Sequence, residues 1–219
     1  MLPISDTENP GIFPIATYFL LGLNVLVFIL MFTMSEAGLE NFIYTYALIP
    51  QEIVNGQDIY TLLTSMFLHG GIGHIFGNML FLHVFGNNLE AAFGRIKYVL
   101  FYLVCGLAAS ALQVFVDPTS TIPNLGASGA IAGLLGGYLV LFPNHRVDVL
   151  VSGSGMRSTL PAYTMLIYWI VFQFLQGIGS LGAPGTGGVA YFAHIGGFIG
   201  GVVLAKFTNS IVKTRLNYS

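Results

Sequence analysis

Charge is what this sequence has least of. Only 7% of its 219 residues are charged, seven Lys or Arg and nine Asp or Glu. An ordinary soluble domain carries about 25%. So few ionic groups cannot coat a water-soluble globule, and 55% hydrophobic residues exclude a disordered chain. Seven scattered cations make no basic patch for phosphates, so no nucleic-acid partner is expected. Cysteine is almost missing too. Cys105 stands alone, which excludes an intrachain disulfide and any multi-cysteine metal site. No metal and no other cofactor is expected. What remains is an all-α polytopic membrane protein with the lipid bilayer as its solvent. At about 20 apolar residues per span, the chain has room for roughly six helices and short loops.

The same scarcity marks the spans. No charge lies between Glu8 and Glu36, which predicts helix 1 over about 12–34. The stretch before it holds Asp6 and Glu8 but no Lys or Arg, so it lacks the basic start of a secretory signal peptide. Residues 35–72 hold Glu36, Glu40, Glu52 and Asp58 among many aromatics. That is too long for an idle loop, and short helices lying in the membrane interface are expected there. Further helices are predicted over about 73–92, 98–116, 128–142, 159–176 and 189–207. The fourth has only about 15 residues before Pro143, too few to cross a ~30 Å core at 1.5 Å per residue. Its start is therefore expected below the membrane surface, met by a loop that lines protein or a water-filled cavity. Residues 143–157 read as a polar loop, and the glycine-rich tract 177–188 as the break between helices 5 and 6.

With six spans, Arg95, Lys97, Arg146, Arg157, Lys206, Lys213 and Arg215 all fall on one face. The positive-inside rule makes that face cytoplasmic, with both termini on it. One span more or fewer would scatter the cations over both faces.

Polar side chains inside spans are functional candidates by default. His74 and Asn78 share one face at the start of helix 2. Ser128 opens helix 4 within Gly126-Ala-Ser128-Gly129, and His194 lies near the start of helix 6. All four sit within roughly 10 Å of the outer ends of their helices. A serine hydroxyl needs a base to take its proton, and His194 suits that task. An oxyanion needs donors, which the Asn78 amide and the Ser128 backbone N–H at a helix N-terminus supply. No Asp or Glu lies at that level, so a Ser-His dyad is the natural reading rather than a triad. Taken singly, each element has a plainer use. Small-residue runs usually pack helices, and a lone helical His usually packs or hydrogen-bonds. Their common depth on three helices favours chemistry. His83 and Cys105 keep the packing reading, and His145 belongs to the cytoplasmic loop.

Together, His74-Ile-Phe-Gly-Asn78, Gly126-Ala-Ser128-Gly129 and Ala193-His194-Ile-Gly-Gly197-Phe-Ile-Gly-Gly201 resemble the rhomboid intramembrane serine proteases over nearly the whole chain. The resemblance implies a single membrane domain over 1–219, a six-helix bundle with a long interfacial first loop and a short, buried-start helix 4. It implies Ser128 as nucleophile, His194 as general base and then acid, and Asn78, His74 and the Ser128 N–H as the oxyanion hole. Gly197 and Gly201 would pack helix 6 closely on helix 4 beside Gly133 and Gly137, with Gly126 and Gly129 flanking the nucleophile. Glu90 and Arg95 resemble the family's structural polar residues, His69 its loop histidine, and 177–188 its mobile cap. The substrates implied are single-span membrane proteins. The six-span form without an added domain resembles the basic prokaryotic one, which implies a prokaryotic plasma membrane.

Two departures stand out. The family's first loop often holds a Trp-Arg pair where this chain reads Ile59-Tyr60-Thr61, and an aromatic residue often follows the nucleophile by four positions where this chain has Ala132. Some other side chain, or none, must support His194. Two other functions remain in view. One is an inactive relative that binds membrane proteins for quality control, although such relatives usually lack the serine or the histidine. The other is a proton-coupled transporter, against which the predicted helices 3 and 5 offer no polar path to the cytoplasm.

Overall fold

The computed structural model describes residues 1–8, 11–151, 155–180 and 189–217, with side chains to residue 208. Nine α-helices are described. Helix α1 is Ile15–Phe32, α5 Ile72–Phe93, α6 Arg95–Val116, α7 Ser128–Leu141, α8 Ala162–Ser180 and α9 Tyr191–Asn217. Three short ones, α2 (Glu36–Tyr46), α3 (Pro50–Val54) and α4 (Thr61–Thr64), occupy the long connection after α1 together with a 3-10 turn at Ser65–Phe67. Four helices are long and apolar enough to cross a membrane: α1, α6, α8 and the Tyr191–Thr208 part of α9. α5 is long enough, but His74, Asn78, Asn87, Asn88 and Glu90 dilute its apolar content. α7 is apolar but has only 14 residues.

The expectation of an all-α chain needs correcting. β1 (Leu2–Asp6), β2 (Arg146–Leu150) and β3 (Arg157–Pro161) form an antiparallel sheet in the order β1-β2-β3. Residues 143–157 are thus not simply a polar loop. Val147 and Val149 are fully buried while Arg146 and Asp148 point away, which is the period-two pattern of a half-buried strand. Asp6 ties this sheet to the helices. Its carboxylate accepts from Asn88 Nδ2 at 2.6 Å and from the Tyr138 hydroxyl. His145 lies 3.8 Å from the same oxygen. Burial alone would raise the Asp6 pKa, but the nearby His145 imidazole and the hydrogen bond from Tyr138 outweigh it and hold the carboxyl below the usual value.

Two other boundaries shift. α8 runs through Gly177 and Gly179 to Ser180, so the tract 177–188 begins as helix, and its residues 181–188 lie outside the described ones. α9 continues well past residue 207.

The core is α7, with every residue from Gly129 to Tyr138 buried. Helix α9 lies against it backbone to backbone. A Cβ on Gly197 would stand 2.0 Å from the Gly129 carbonyl oxygen, and one on Gly201 1.9 Å from that of Gly133. A third α7 glycine on this seam is Gly136, whose Cβ would meet the Phe198 carbonyl at 2.2 Å. Gly137, expected there, instead faces the Phe101 ring of α6. Gly196 and Gly200 seat the neighbouring face of α9 on Ala108 of α6. Small residues let helix axes approach closely where lipid offers no hydrophobic drive to associate.

α1 has no side chain of its own to cap it. Glu90 of α5, fully buried, does so from the side. Its carboxylate accepts from the Ala16 N–H (2.9 Å), the Thr17 N–H (2.7 Å) and Thr17 Oγ1 (2.9 Å). A negative group at a helix N-terminus satisfies orphan donors and favours the dipole.

The long first connection is stitched to the loop before α7. Leu48 and Asn124 exchange backbone hydrogen bonds at 2.9 and 2.7 Å, and the Gly126 N–H donates to the Ser65 carbonyl at 2.9 Å. Within the connection, Tyr60 Oη donates to the Thr45 carbonyl and Thr64 Oγ1 to that of Tyr46. These contacts hold the stretch around Ile59-Tyr60-Thr61 in place.

Two substitutions test this frame. Gly201→Ala puts a methyl against a backbone oxygen that cannot rotate away, so α9 must retreat. The overpacking is expected to cost about 1–3 kcal/mol, more than the helix-propensity gain of about 1 kcal/mol, and to lower the thermal midpoint in detergent. An unchanged midpoint would show that the seam is loose. Glu90→Gln keeps the shape but turns an N–H2 toward backbone donors. A loss of about 2 kcal/mol is expected, read in the same unfolding assay, and wild-type stability would rule out the capping role.

Candidate active site

Three elements meet where α7 begins. Ser128 is the first residue of α7, so its backbone N–H is among those that no helical carbonyl satisfies. The residue pair before it makes the turn. Gly126 has φ +132°, a conformation that L side chains rarely adopt, and a Cβ there would stand 2.8 Å from His74 Nε2. Glycine is therefore required by both backbone and space. Ala127 is fully buried beneath the turn.

His194 reaches Ser128 from the fourth residue of α9. Its Nε2 lies 2.7 Å from Ser128 Oγ, a direct hydrogen bond. Its Nδ1 lies 2.7 Å from Gln173 Oε1 of α8. Both side chains of that second pair are more than nine-tenths buried. Trp169, one turn before Gln173 on α8, places its ring 5.8 Å from the imidazole at a tilt of 37°. Ala132 is buried in the core and offers the imidazole no ring. The support comes from α8 instead.

His74 and Asn78 occupy adjoining turns of α5 and line the same cavity as Ser128 and His194. That cavity is open and has a volume of about 580 Å³. Gly70, Gly73, Gly77, Pro123, Phe81 and Trp169 are among its other lining residues. Asn78 is buried, and its Nδ2 has no hydrogen-bond partner among the described residues. An unsatisfied buried donor is costly and calls for an acceptor supplied from elsewhere. The Gly70 N–H approaches His74 Nδ1 at 3.4 Å. That contact makes Nδ1 the acceptor, so Nε2 carries the proton in the neutral ring. His69 packs edge-on against His74 with ring centroids 5.1 Å apart. Burial, and to a lesser degree His74, pushes the His69 pKa down to about 4. His69 is thus a neutral ring bracing His74.

The structure brings Ser128, His194, Asn78 and His74 together, as their common depth in the sequence implied. Gly129 and Gly197 meet at the α7–α9 seam just below the pair, and Gly201 one turn further along. Among the described residues, no Asp or Glu lines the cavity. Sequence reasoning missed Gln173 and Trp169. The available signal was a glutamine in the middle of the apolar run Tyr168-Trp-Ile-Val-Phe-Gln173-Phe, where a polar side chain needs a partner.

Comparison with known proteins gives consistent results. A family model described as "Rhomboid domain" matches residues 56–210. The chain is 35% identical over 155 residues to RHOMBOID-like protein 4 of Arabidopsis thaliana, covering 70% of this chain and 35% of that one. It is 28% identical over 193 residues to Rhomboid protease GluP of Bacillus subtilis (strain 168), covering 88% and 34%. It is 28% identical over 203 residues to the mitochondrial Rhomboid protein 1 of Saccharomyces cerevisiae, covering 90% and 54%. The chain therefore spans about a third to a half of the length of these curated relatives.

Proposed function

The chain belongs to the rhomboid family and is an integral membrane protein, and from that premise we propose that it is an intramembrane serine protease working through Ser128 and His194. The observation that carries the reading is the 2.7 Å contact between Ser128 Oγ and His194 Nε2 at the edge of an open cavity. His194 takes the hydroxyl proton as Oγ attacks the scissile carbonyl carbon. Negative charge then grows on the carbonyl oxygen. Asn78 Nδ2, His74 Nε2 and the Ser128 N–H donate to it, with the positive end of the α7 dipole behind them. His194 returns the proton to the leaving amine, leaving an acyl ester on Ser128. A water entering through the cavity hydrolyses that ester by the same proton route.

Every protein group in this scheme is neutral at rest. That suits a site inside a bilayer, where a resident carboxylate would pay the full cost of desolvation. The substrates proposed are single-span membrane proteins, cut in or beside the bilayer. The whole chain is proposed to act as one membrane domain. In this reading α5 and α7 join the four helices that are both long and apolar enough to span, making six. α2–α4 lie in the interface, and the cavity opens outward. The cationic ends and both termini face the cytoplasm, as the distribution of Lys and Arg supports.

The test is cleavage of a model single-span substrate by purified protein in proteoliposomes. Ser128→Ala and His194→Ala are each expected to reduce cleavage at least about 1,000-fold and to abolish labelling by a fluorophosphonate. Cleavage by Ser128→Ala at the wild-type rate would sink the assignment. Removing one oxyanion donor with Asn78→Ala is expected to lower kcat about 100-fold with KM little changed. A rise in KM alone would instead make Asn78 a binding residue.

A further inference from the structure

We infer that Gln173 is the positioning residue for His194, a neutral third member in the place where soluble serine proteases use a carboxylate. The inference rests on the Ser128–His194 reading and concerns what aims the imidazole. Three observations lead to it. Gln173 Oε1 lies 2.7 Å from His194 Nδ1 while Nε2 lies 2.7 Å from Ser128 Oγ. The two contacts run through opposite ring nitrogens, so they form one continuous chain. Gln173 and His194 are both buried, at 8% and 7% exposure, where a hydrogen bond is electrostatically stronger than in water. And Ala132 leaves the ring without an aromatic floor from α7, so α8 is the element that touches it, through Gln173 and Trp169.

The chemistry follows from the donor and acceptor inventory. A neutral imidazole donates from one nitrogen and accepts at the other. An amide oxygen can only accept, so Gln173 Oε1 requires the proton on Nδ1. Nε2 is then the lone pair facing the Ser128 hydroxyl, which is the state a general base needs. With an apolar residue at 173 the other tautomer, proton on Nε2, becomes available and cannot take the serine proton. When Nε2 is protonated during attack, the carbonyl dipole of Gln173 still faces Nδ1–H and stabilises the imidazolium. It does so without placing a permanent charge in the apolar interior. Trp169 packs against the ring, its centroid 5.8 Å away at a tilt of 37°, and limits movement out of this line.

The experiment uses the full chain in detergent micelles and follows substrate cleavage and fluorophosphonate labelling against pH. Gln173→Leu is expected to lower kcat on the order of 10- to 100-fold with KM within about two-fold, since only the base is misaligned. Gln173→Glu keeps the volume and tests the electrostatics. The new carboxylate favours the imidazolium, so the acid limb of the pH–rate profile is expected to move up by at least about half a unit. A merely structural side chain would not move that limb. A third readout needs no variant at 173. In protein carrying isotope-labelled histidine, the His194 signals, assigned by their loss in His194→Ala, are expected to show a proton on Nδ1 and none on Nε2 at neutral pH. An unmoved acid limb in Gln173→Glu, or the opposite tautomer in the wild type, overturns the role of Gln173. If Ser128→Ala still cleaves in parallel assays, the dyad itself fails and this inference falls with it. If Ser128→Ala is inactive while the limb stays put, only the positioning role is lost.

Discussion

The close approach of α9 to α7 is the constraint on which the rest depends. Ser128 and His194 sit 66 positions apart in the chain and meet only because two helix backbones touch without side chains between them. Gly197 faces the Gly129 carbonyl one turn below His194, and Gly201 faces that of Gly133 a turn further on. A 2.7 Å contact at the end of such a seam leaves little room for error, because a shift of 1 Å at the helix axis is enough to lose it. The glycines give up helix propensity, about 1 kcal/mol each, in return for a fixed distance. The neighbouring face of α9 is set the same way on α6 through Gly196 and Gly200, so α9 is held on two adjacent sides.

A second organising feature is the separation of charged and neutral chemistry along the bundle. Glu90, fully buried, and Asp6, partly buried, tie down α1 and β1 at positions remote from Ser128. Each is surrounded by donors, which is the condition for keeping a carboxylate out of water. At the other end the polar groups are hydroxyl, imidazole and amide. Their desolvation is far cheaper than that of an ion, and they remain able to donate or accept as charge develops. The cavity above them is lined on one side by glycines of α5 and its preceding loop, which leaves space for an incoming backbone where other residues would fill it.

The site is also fixed from outside the helices. The bridge between Leu48 and Asn124 and the bond from the Gly126 N–H to Ser65 bind the first connection to the turn that presents Ser128. That connection is therefore part of the scaffold of the nucleophile. The anchors within it are tyrosine and threonine hydroxyls bonded to carbonyls, local bonds that each satisfy a backbone acceptor in place.

Much was legible in the chain itself, for a physical reason. The bilayer penalises polar groups, so scarcity of charge marked the apolar helices, and each polar residue inside one stood out as a candidate. Helical periodicity put His74 and Asn78 on one face, and equal distance from the helix ends put Ser128 and His194 at their level. Other features were not local and could not be read that way. Val147 and Val149 alternate like a strand, but a strand needs partners, and these came from residues 2–6 and 157–161. Glu90 is an ordinary inner carboxylate until α1 brings two free N–H groups to it. Gly136 and Gly137 are neighbours of the same type, and only the rotation of α7 decides which one meets α9 and which one meets Phe101. Gln173 is a single polar residue on an apolar helix, and nothing in its own segment points to His194. Which side chains could do chemistry in a membrane was readable from the chain alone, because their cost there is a property of each residue. Which of them touch was fixed by folding, because contact depends on how helices rotate and approach, and all of their faces settle that at once.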